Sequence, residues 1–156
     1  MVPSPKMEVY RFTLAKWSET LKPSGYAGRW NSKGVFMLYT SSSIALATLE
    51  NLVHRSGEGL NKNFKTIEIS IPEGMKIHEI KIDELPNDWY QYENYRLSQA
   101  KGDHWIKESN SPLLKVPSAI IKKESNYLLN PNHKDFEKIA IKSIVDFEFD
   151  PRLIQE

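Results

Sequence analysis

The sequence contains no cysteine among its 156 residues. Disulfide bonds and thiolate metal sites are therefore excluded, and the composition fits a reducing compartment. Long apolar runs are also missing. No segment approaches the ~20 residues that span a membrane, and the first residues lack the apolar core of a signal peptide. We therefore expect a cytoplasmic protein without membrane contact.

An excess of one charge sign is missing as well. Lys and Arg total 21 and Asp and Glu total 20, so the formal net charge is +1. Because proteins that neutralise nucleic-acid phosphates present a basic surface, we expect no direct nucleic-acid binding. The four histidines are dispersed without the spacing of a zinc or iron site, so we predict no metal site.

Two further patterns are weak. The Gly-Glu-Gly run at residues 57–59 lacks both the longer glycine fingerprint and the P-loop Lys-Ser pair, so we predict a turn there. An aromatic cluster is more typical of a core or groove lining, and we keep it as a candidate interface. Its members are Trp89, Tyr90, Tyr92 and Tyr95.

The length and the 40% hydrophobic content suit one domain over residues 1–156. Strands are predicted over MEVYRFT, VFMLYTS, FKTIEISIP, MKIHEIKIDEL and the last apolar stretch, IAIKSIVDFEFDPRL. One strong helix is predicted from a cap at Ser41, Ser42 or Ser43 to about His54. Short strands without a repeating βαβ pattern favour an α+β fold with a mixed, mainly antiparallel sheet.

The patterns in the second half of the chain are less regular. The segment from Asn87 is predicted to form a helix that breaks at Gly102 and is followed by a further turn or short helix through Trp105. Residues 119–121 are predicted to form a strand, and residues 124–126 a loop. Three isoleucines alternate with polar residues and are predicted to be available to a core: Ile77, Ile80 and Ile82.

Residues 28–50 carry the most informative chemistry, because a guanidinium, two aromatic rings and a carboxylate lie on one strand, turn and helix. The guanidinium of Arg29 can bind a diphosphate through paired hydrogen bonds. Aromatic rings suit a base, and the carboxylate of Glu50 suits a developing positive charge. Together they indicate a pocket for a dinucleotide that is cleaved at a glycosidic bond.

Several separate motifs, in order, resemble the RES domain family, which is named after an Arg, a Glu and a Ser. They are GRWN at 28–31, YTS at 39–41, LATLENLVH at 46–54, VPSA at 116–119 and NYLLNP at 126–131. With the YRF opening, LPNDW at 85–89, GDHW at 102–105 and FDPRL at 149–153, the resemblance covers nearly the whole chain. It implies the toxin half of a bacterial RES-Xre toxin–antitoxin pair, with a fold similar to NAD-dependent ADP-ribosyltransferases.

The resemblance carries the name-giving residues to Arg29, Glu50 and Ser118, with Tyr39 beside them, and implies NAD as substrate with no further cofactor. Arg29 would hold the diphosphate, and Tyr39 would stack on nicotinamide and offer its hydroxyl to the ribose. Glu50 would stabilise an oxocarbenium-like transition state. Ser118 has no base beside it, so we expect it to bond the substrate rather than attack it. Further supporting residues in substrate binding are expected to be Trp30, Asn31 and Asn126.

The sequence leaves the reaction open. NAD could be hydrolysed, phosphorolysed or used to ADP-ribosylate a protein, because the acceptor's pocket has no readable motif. An inactive NAD-binding module that serves only to bind an antitoxin is also open. An active toxin must be restrained in its own cell, so we expect a tight Xre-like antitoxin protein as partner. The sequence indicates neither the oligomeric state nor the stoichiometry.

Overall fold

The computed structural model describes residues 6–56 and 58–154. Its strands and α-helices are β1 (Met7–Leu14), β2 (Leu38–Ser41), α1 (Ile44–His54), β3 (Phe64–Ile71), β4 (Ile77–Glu79), α2 (Tyr95–Glu108), β5 (Leu113–Pro117), β6 (Ser125–Leu129) and β7 (Ala140–Phe147). Short 3-10 helices lie between several of them. The predicted turn at residues 57–59 includes Gly57, which lies outside the described residues.

The strands belong to one seven-stranded sheet, in the order β4-β5-β6-β2-β1-β3-β7. β4 pairs with β5 in parallel, whereas the other neighbouring strands pair antiparallel. This arrangement confirms the predicted α+β fold with a mixed, mainly antiparallel sheet. β2 lies between β1 and β6, near the middle of the sheet, and α1 follows it after two residues.

The helix α1 forms where the serine run and the apolar periodicity predict it. The side chain of Ser43 caps it by accepting a hydrogen bond from the amide of Leu46 at 3.1 Å. Leu46 and Ala47 are its buried residues. Glu50 follows them by four and three positions, so it lies on the same side of the helix. The local sequence thus places this carboxylate over the sheet.

The sheet has a different core on each face. Leu38 and Leu129 are register partners within one buried cluster. Their chain neighbours Tyr39 and Leu128 are also register partners, and both pack in a second cluster. Because side chains alternate between faces along a strand, Tyr39 and Ser41 share the second face. α1 packs over this face next to β1 and β2.

The prediction of a helix that starts at Asn87 and breaks at Gly102 was wrong. α2 begins at Tyr95 and continues through Gly102 to Glu108. A Cβ atom at Gly102 would lie 1.7 Å from the carbonyl oxygen of Trp30. The glycine therefore allows the helix to approach the backbone closely, and it does not interrupt the helix.

The predicted strand at residues 119–121 was also wrong, and the predicted loop at residues 124–126 is correct only at Glu124. β5 ends at Pro117, and the hydroxyl of Ser118 accepts hydrogen bonds from the amides of Ile120 and Ile121, each at 3.1 Å. These bonds turn the chain directly after β5. β6 then starts at Ser125, so Asn126 lies on a strand.

One predicted core residue is also misplaced. Ile80 is buried, but 46% of the surface of Ile82 is exposed. The short strand β4 ends at Glu79, and a 3-10 helix over Ile82–Glu84 breaks the alternation that would have turned Ile82 inward. The alternating pattern therefore predicted burial correctly at Ile80 but not at Ile82.

The close approach at Gly102 predicts a destabilising Gly102→Ala substitution. Alanine is more favourable than glycine in a helix interior by about 1 kcal/mol. Its methyl group, however, would overlap the Trp30 carbonyl and force the helix away from the loop. We expect a net loss of about 1–3 kcal/mol in the free energy of unfolding, measured by urea denaturation. Lys101→Ala on the exposed side of the same helix is the control. A Gly102→Ala variant that equals or exceeds the wild type in stability would contradict this account.

Candidate active site

Glu50 is held through one of its two carboxylate oxygens. Oε1 accepts a hydrogen bond from the hydroxyl of Ser118 at 2.7 Å and another from the side-chain amide of Asn126 at 2.7 Å. Within the described residues, no donor bonds Oε2, and no cation pairs with the carboxylate. The group is fixed in direction, but its charge is not compensated by a neighbouring side chain.

Ser118 directs its hydroxyl proton to Glu50. Its side chain is fully buried, and its oxygen already accepts the amide hydrogens of Ile120 and Ile121. The remaining hydroxyl proton is donated to the carboxylate, which makes this a charge-assisted bond. The expectation that no base lies beside Ser118 was wrong, because the Glu50 carboxylate lies within hydrogen-bond distance of its hydroxyl. In the structure, Ser118 orients Glu50. Its predicted contact with a substrate stays a prediction.

Asn126 is locked by the strand next to it. Ser41 and Asn126 are register partners of β2 and β6, and the Ser41 hydroxyl donates to Oδ1 of Asn126 at 2.7 Å. Since the amide oxygen is occupied, its NH2 group is turned to Glu50. Two residues that the sequence suggested only separately, Asn126 and Ser118, thus meet on one carboxylate oxygen.

Arg29 is framed by aromatic side chains that precede and begin α2. Its Nη1 donates to the backbone carbonyl of Tyr90 at 3.0 Å. Its guanidinium carbon lies 4.6 Å from the ring centroid of Tyr95 and 5.5 Å from that of Trp89. Such cation–π contacts position a guanidinium without neutralising it. Within the described residues, Arg29 forms no ion pair.

The sequence suggested the aromatic cluster as an interface and missed this role. Three of its members contact Arg29 from positions sixty or more residues further along the chain: Trp89, Tyr90 and Tyr95. Their clustering beside the predicted helix was the available signal. Nothing in local periodicity links them to the loop of residues 28–32.

One face of α2 holds the backbone of that loop. Gln99 donates to the carbonyl of Gly28 at 2.9 Å, and Ser98 donates to the carbonyl of Arg29 at 2.6 Å. Asp103 accepts a hydrogen bond from the amide of Ser32 at 3.0 Å. Because these bonds fix the backbone on both sides of Arg29, the helix determines where the guanidinium can reach.

Tyr39 supports the same loop from the sheet. Its hydroxyl donates to Oδ1 of Asn31 and accepts a hydrogen bond from the amide of Trp30 at 3.0 Å. Burial raises the pKa of the Tyr39 hydroxyl well above its ordinary value, so the group stays neutral and remains a donor. Trp30 and Asn31 are each 2% exposed. The contacts of all three residues in the structure are structural, and their predicted contacts with a substrate stay predictions.

A chain of contacts joins Glu50 to Arg29. The turn after Ser118 carries Lys122, whose ammonium lies 4.1 Å from the ring centroid of Tyr90. The carbonyl of Tyr90 in turn accepts the bond from Arg29. The two uncompensated charges, one negative and one positive, therefore lie along one continuous group of residues.

Three further features of the described residues bear on ligand binding and membrane contact. No group of three or more His, Asp or Glu side chains there could hold a metal ion. No helix there is long and apolar enough to cross a membrane. A cavity of about 260 Å³ lies on another side of α2 and is lined by none of the predicted site residues; it is bordered by His78, Ile80, Glu84, Lys101, His104, Trp105, Glu108 and Asn110.

The bonds of the Tyr39 hydroxyl predict a stability loss in Tyr39→Phe. The substitution leaves the buried Asn31 oxygen and the Trp30 amide without their partner, so we expect a loss of about 1–3 kcal/mol in the free energy of unfolding. Urea denaturation measures it. Tyr92→Phe is the matched control, because the Tyr92 side chain is 82% exposed. Equal stability of the two variants would show that the hydroxyl does not support the loop.

The sequence matches a known protein family and several of its members. The sequence model of the family described as RES domain matches residues 8–150. A protein named Toxin Res from Photorhabdus laumondii is 38% identical over 154 residues, which are 96% of this chain and 98% of that protein. A protein named Prs ADP-ribosylating toxin, from a Sphingobium species, is 37% identical over 131 residues, covering 83% of this chain and 81% of that protein.

A solved structure shares the fold. A chain in the crystal structure of the M. tuberculosis MbcT-MbcA toxin–antitoxin complex superposes with a TM-score of 0.78 and 16% sequence identity. The match covers 94% of this chain and 86% of that one. At this level of identity, the likeness concerns the fold alone. The family match over nearly the whole chain and the two relatives above 30% identity lead to one conclusion: the chain belongs to the RES domain family.

Proposed function

We propose that this chain is the toxin of a toxin–antitoxin pair and that it consumes NAD by cleaving the bond between nicotinamide and ribose. The observation that carries the proposal is the pair of uncompensated charges, Glu50 and Arg29, on one group of connected residues. A dinucleotide carries a group of opposite charge for each of these two residues. Its diphosphate is anionic, and its glycosidic carbon becomes cationic during cleavage.

Glu50 is suited to the chemical step. When the C1′–N bond breaks, its electron pair leaves with the nicotinamide nitrogen, and positive charge develops on the ribose carbon and ring oxygen. A carboxylate that is already oriented stabilises this charge more in the transition state than in the bound substrate, which is the condition for catalysis. Hydrogen bonds from Ser118 and Asn126 hold Oε1, which leaves Oε2 to face the ribose.

Arg29 is suited to binding. One Nη1 bond to Tyr90 and the flanking rings hold the guanidinium in one plane, so little side-chain freedom is lost when a ligand binds. The other N–H groups can then donate to two oxygens of a diphosphate in parallel. Lys122, beside Tyr90, adds positive charge to the same region.

The acceptor of the ribosyl group defines the product. In hydrolysis, a water oxygen bonds to C1′ and loses a proton to solvent, giving ADP-ribose; in phosphorolysis, a phosphate oxygen takes that place. Hydrolysis or phosphorolysis is our first proposal, since water and phosphate are small acceptors that need no docking surface for a target protein. No metal or cofactor is required by this scheme.

Transfer of ADP-ribose to a protein is the second candidate function. The name of the Sphingobium relative, Prs ADP-ribosylating toxin, favours it, because that relative is 37% identical to this chain. The bond cleavage at Glu50 would be the same, and a nucleophilic side chain of the target would attack C1′ instead of water. An inactive binding module would bind NAD without releasing nicotinamide.

A protein partner follows from the toxin proposal. We propose an Xre-like antitoxin that covers Glu50 and Arg29 and so blocks the access of NAD to them. The structural relative comes from a complex described as toxin–antitoxin, which supports a partner of this general kind. Purification of the chain with its genomic neighbours tests the partner: isolation of the chain alone would count against it.

Product identification tests the activity. The purified chain is incubated with NAD in buffer, with phosphate, and with a cell lysate, and the products are identified by mass spectrometry. Free ADP-ribose indicates hydrolysis, its 1-phosphate indicates phosphorolysis, and a labelled lysate protein indicates transfer. Intact NAD under all three conditions would exclude both candidate functions and leave the binding module.

Glu50→Gln predicts a loss of turnover with little loss of binding. The amide keeps the shape of the side chain but removes the negative charge, so we expect kcat to fall by about two to three orders of magnitude. The dissociation constant for NAD should change by less than threefold. Glu73→Gln, at an exposed turn, is the control for loss of a carboxylate. Near-normal kcat in Glu50→Gln would remove Glu50 from this role.

We expect Arg29→Lys to weaken NAD binding more than it lowers kcat, which is the reverse of the effect expected for Glu50→Gln. Lysine keeps the charge but cannot donate two parallel hydrogen bonds or lie flat between Tyr95 and Trp89. We expect KM for NAD to rise by about tenfold or more, with a smaller effect on kcat. Steady-state nicotinamide release measures both. Arg96→Lys, at an exposed position of α2, serves as the control, and an unchanged KM in Arg29→Lys would argue against diphosphate binding by Arg29.

A further inference from the structure

Tyr92 displays an uncovered aromatic ring next to the residues that frame Arg29. Its side chain is 82% exposed. Its ring centroid lies 5.1 Å from that of Tyr95, with the two planes tilted by 44°. The Tyr95 ring lies 4.6 Å from the guanidinium carbon of Arg29. Two rings therefore lead outward from the cation, and the outer one has an open face.

The turn that carries Tyr92 is held by its own hydrogen bonds. The side chain of Asn94 donates to the carbonyl of Asp88 at 2.8 Å, and the amide of Gln91 donates to the same carbonyl at 3.0 Å. The amide of Asn94 donates to the carbonyl of Gln91 at 2.9 Å. An exposed ring on an ordered turn loses little conformational freedom when a flat ligand covers it.

The order of contacts matches the order of groups in a dinucleotide. From Glu50, contacts lead through Ser118 and its turn to Tyr90, then to Arg29. They continue beyond Arg29 to Tyr95 and end at Tyr92. A dinucleotide runs in the same sequence from the nicotinamide ribose through the diphosphate to the second nucleoside. Glu50 would meet the first of these groups and Arg29 the second.

We propose that Tyr92, backed by Tyr95, is the stacking platform for the adenine base of the substrate. This inference rests on the proposed function and names the part of the site that holds the adenosine half. Stacking uses the π-face that every base has, so it tolerates changes at the base edge. The subsite therefore recognises a flat base without reading its exocyclic group, and a hypoxanthine dinucleotide binds as well as NAD does.

The test is direct binding of ADP-ribose to the full chain by calorimetry, together with steady-state kinetics on NAD. Loss of a base–aromatic stack costs about 1–3 kcal/mol, so Tyr92→Ala should raise both Kd for ADP-ribose and KM for NAD about tenfold. kcat should stay within about twofold. Tyr92→Phe keeps the ring and should behave as the wild type. Trp17→Ala, which removes another exposed aromatic ring, should change neither constant.

Replacing the base separates stacking from edge recognition. The hypoxanthine analogue of ADP-ribose should bind to the wild type within about threefold of ADP-ribose and should lose the same factor in Tyr92→Ala. An unchanged Kd for ADP-ribose in Tyr92→Ala overturns the proposal. Loss of antitoxin binding in that variant, with ADP-ribose binding intact, likewise overturns it and assigns the ring to the protein partner.

Different results would overturn the adenine platform at Tyr92 and the proposed cleavage of NAD. NAD cleavage by the wild type that is insensitive to Tyr92→Ala removes the adenine platform and leaves the proposed function. ADP-ribose binding that depends on Tyr92, without cleavage of NAD under any condition, keeps the platform and removes the proposed activity. A wild type that neither binds ADP-ribose nor cleaves NAD overturns both.

Discussion

The close contact between α2 and the loop of residues 28–32 determines the geometry of the site. It is possible because Gly102 lets the helix approach the carbonyl of Trp30, where any Cβ atom would overlap. Gln99 and Asp103 then bond the loop backbone on either side of Arg29. The same helix begins with Tyr95, which packs on the guanidinium. One helix thus holds both the backbone and the side chain of the residue proposed to bind the diphosphate.

Glu50 is a half-buried carboxylate that is oriented without an ion pair among the described residues. Its partners Ser118 and Asn126 are neutral donors, and no described cation pairs with it. Neutral donors fix the position of a carboxylate, whereas an adjacent cation would already cancel the field that a developing oxocarbenium ion needs. The Glu50 carboxylate therefore has a fixed orientation and a charge that no neighbouring cation among the described residues cancels, which suits a group that stabilises a transition state.

Local sequence was sufficient for the elements that local interactions form. The serine cap and apolar periodicity of α1 predicted its bounds and placed Glu50 on it. β-Branched and aromatic content predicted β1, and alternation predicted β3. Prediction failed at Gly102 and at residues 119–121, where the outcome depended on a carbonyl from another segment and on a hydroxyl that turns the chain. Propensity alone cannot anticipate such contacts.

The sequence by itself determined which chemical groups are available: a guanidinium, a carboxylate, a serine and several aromatic rings in the motifs of one family. Only the tertiary structure decided which of them meet. Glu50 bonds Ser118 and Asn126 across 68 and 76 residues, and Arg29 bonds Tyr90 across 61. These pairs depend on the order of strands in the sheet and on the docking of α2. Local periodicity records how each segment folds and carries no information about which distant segment lies beside it.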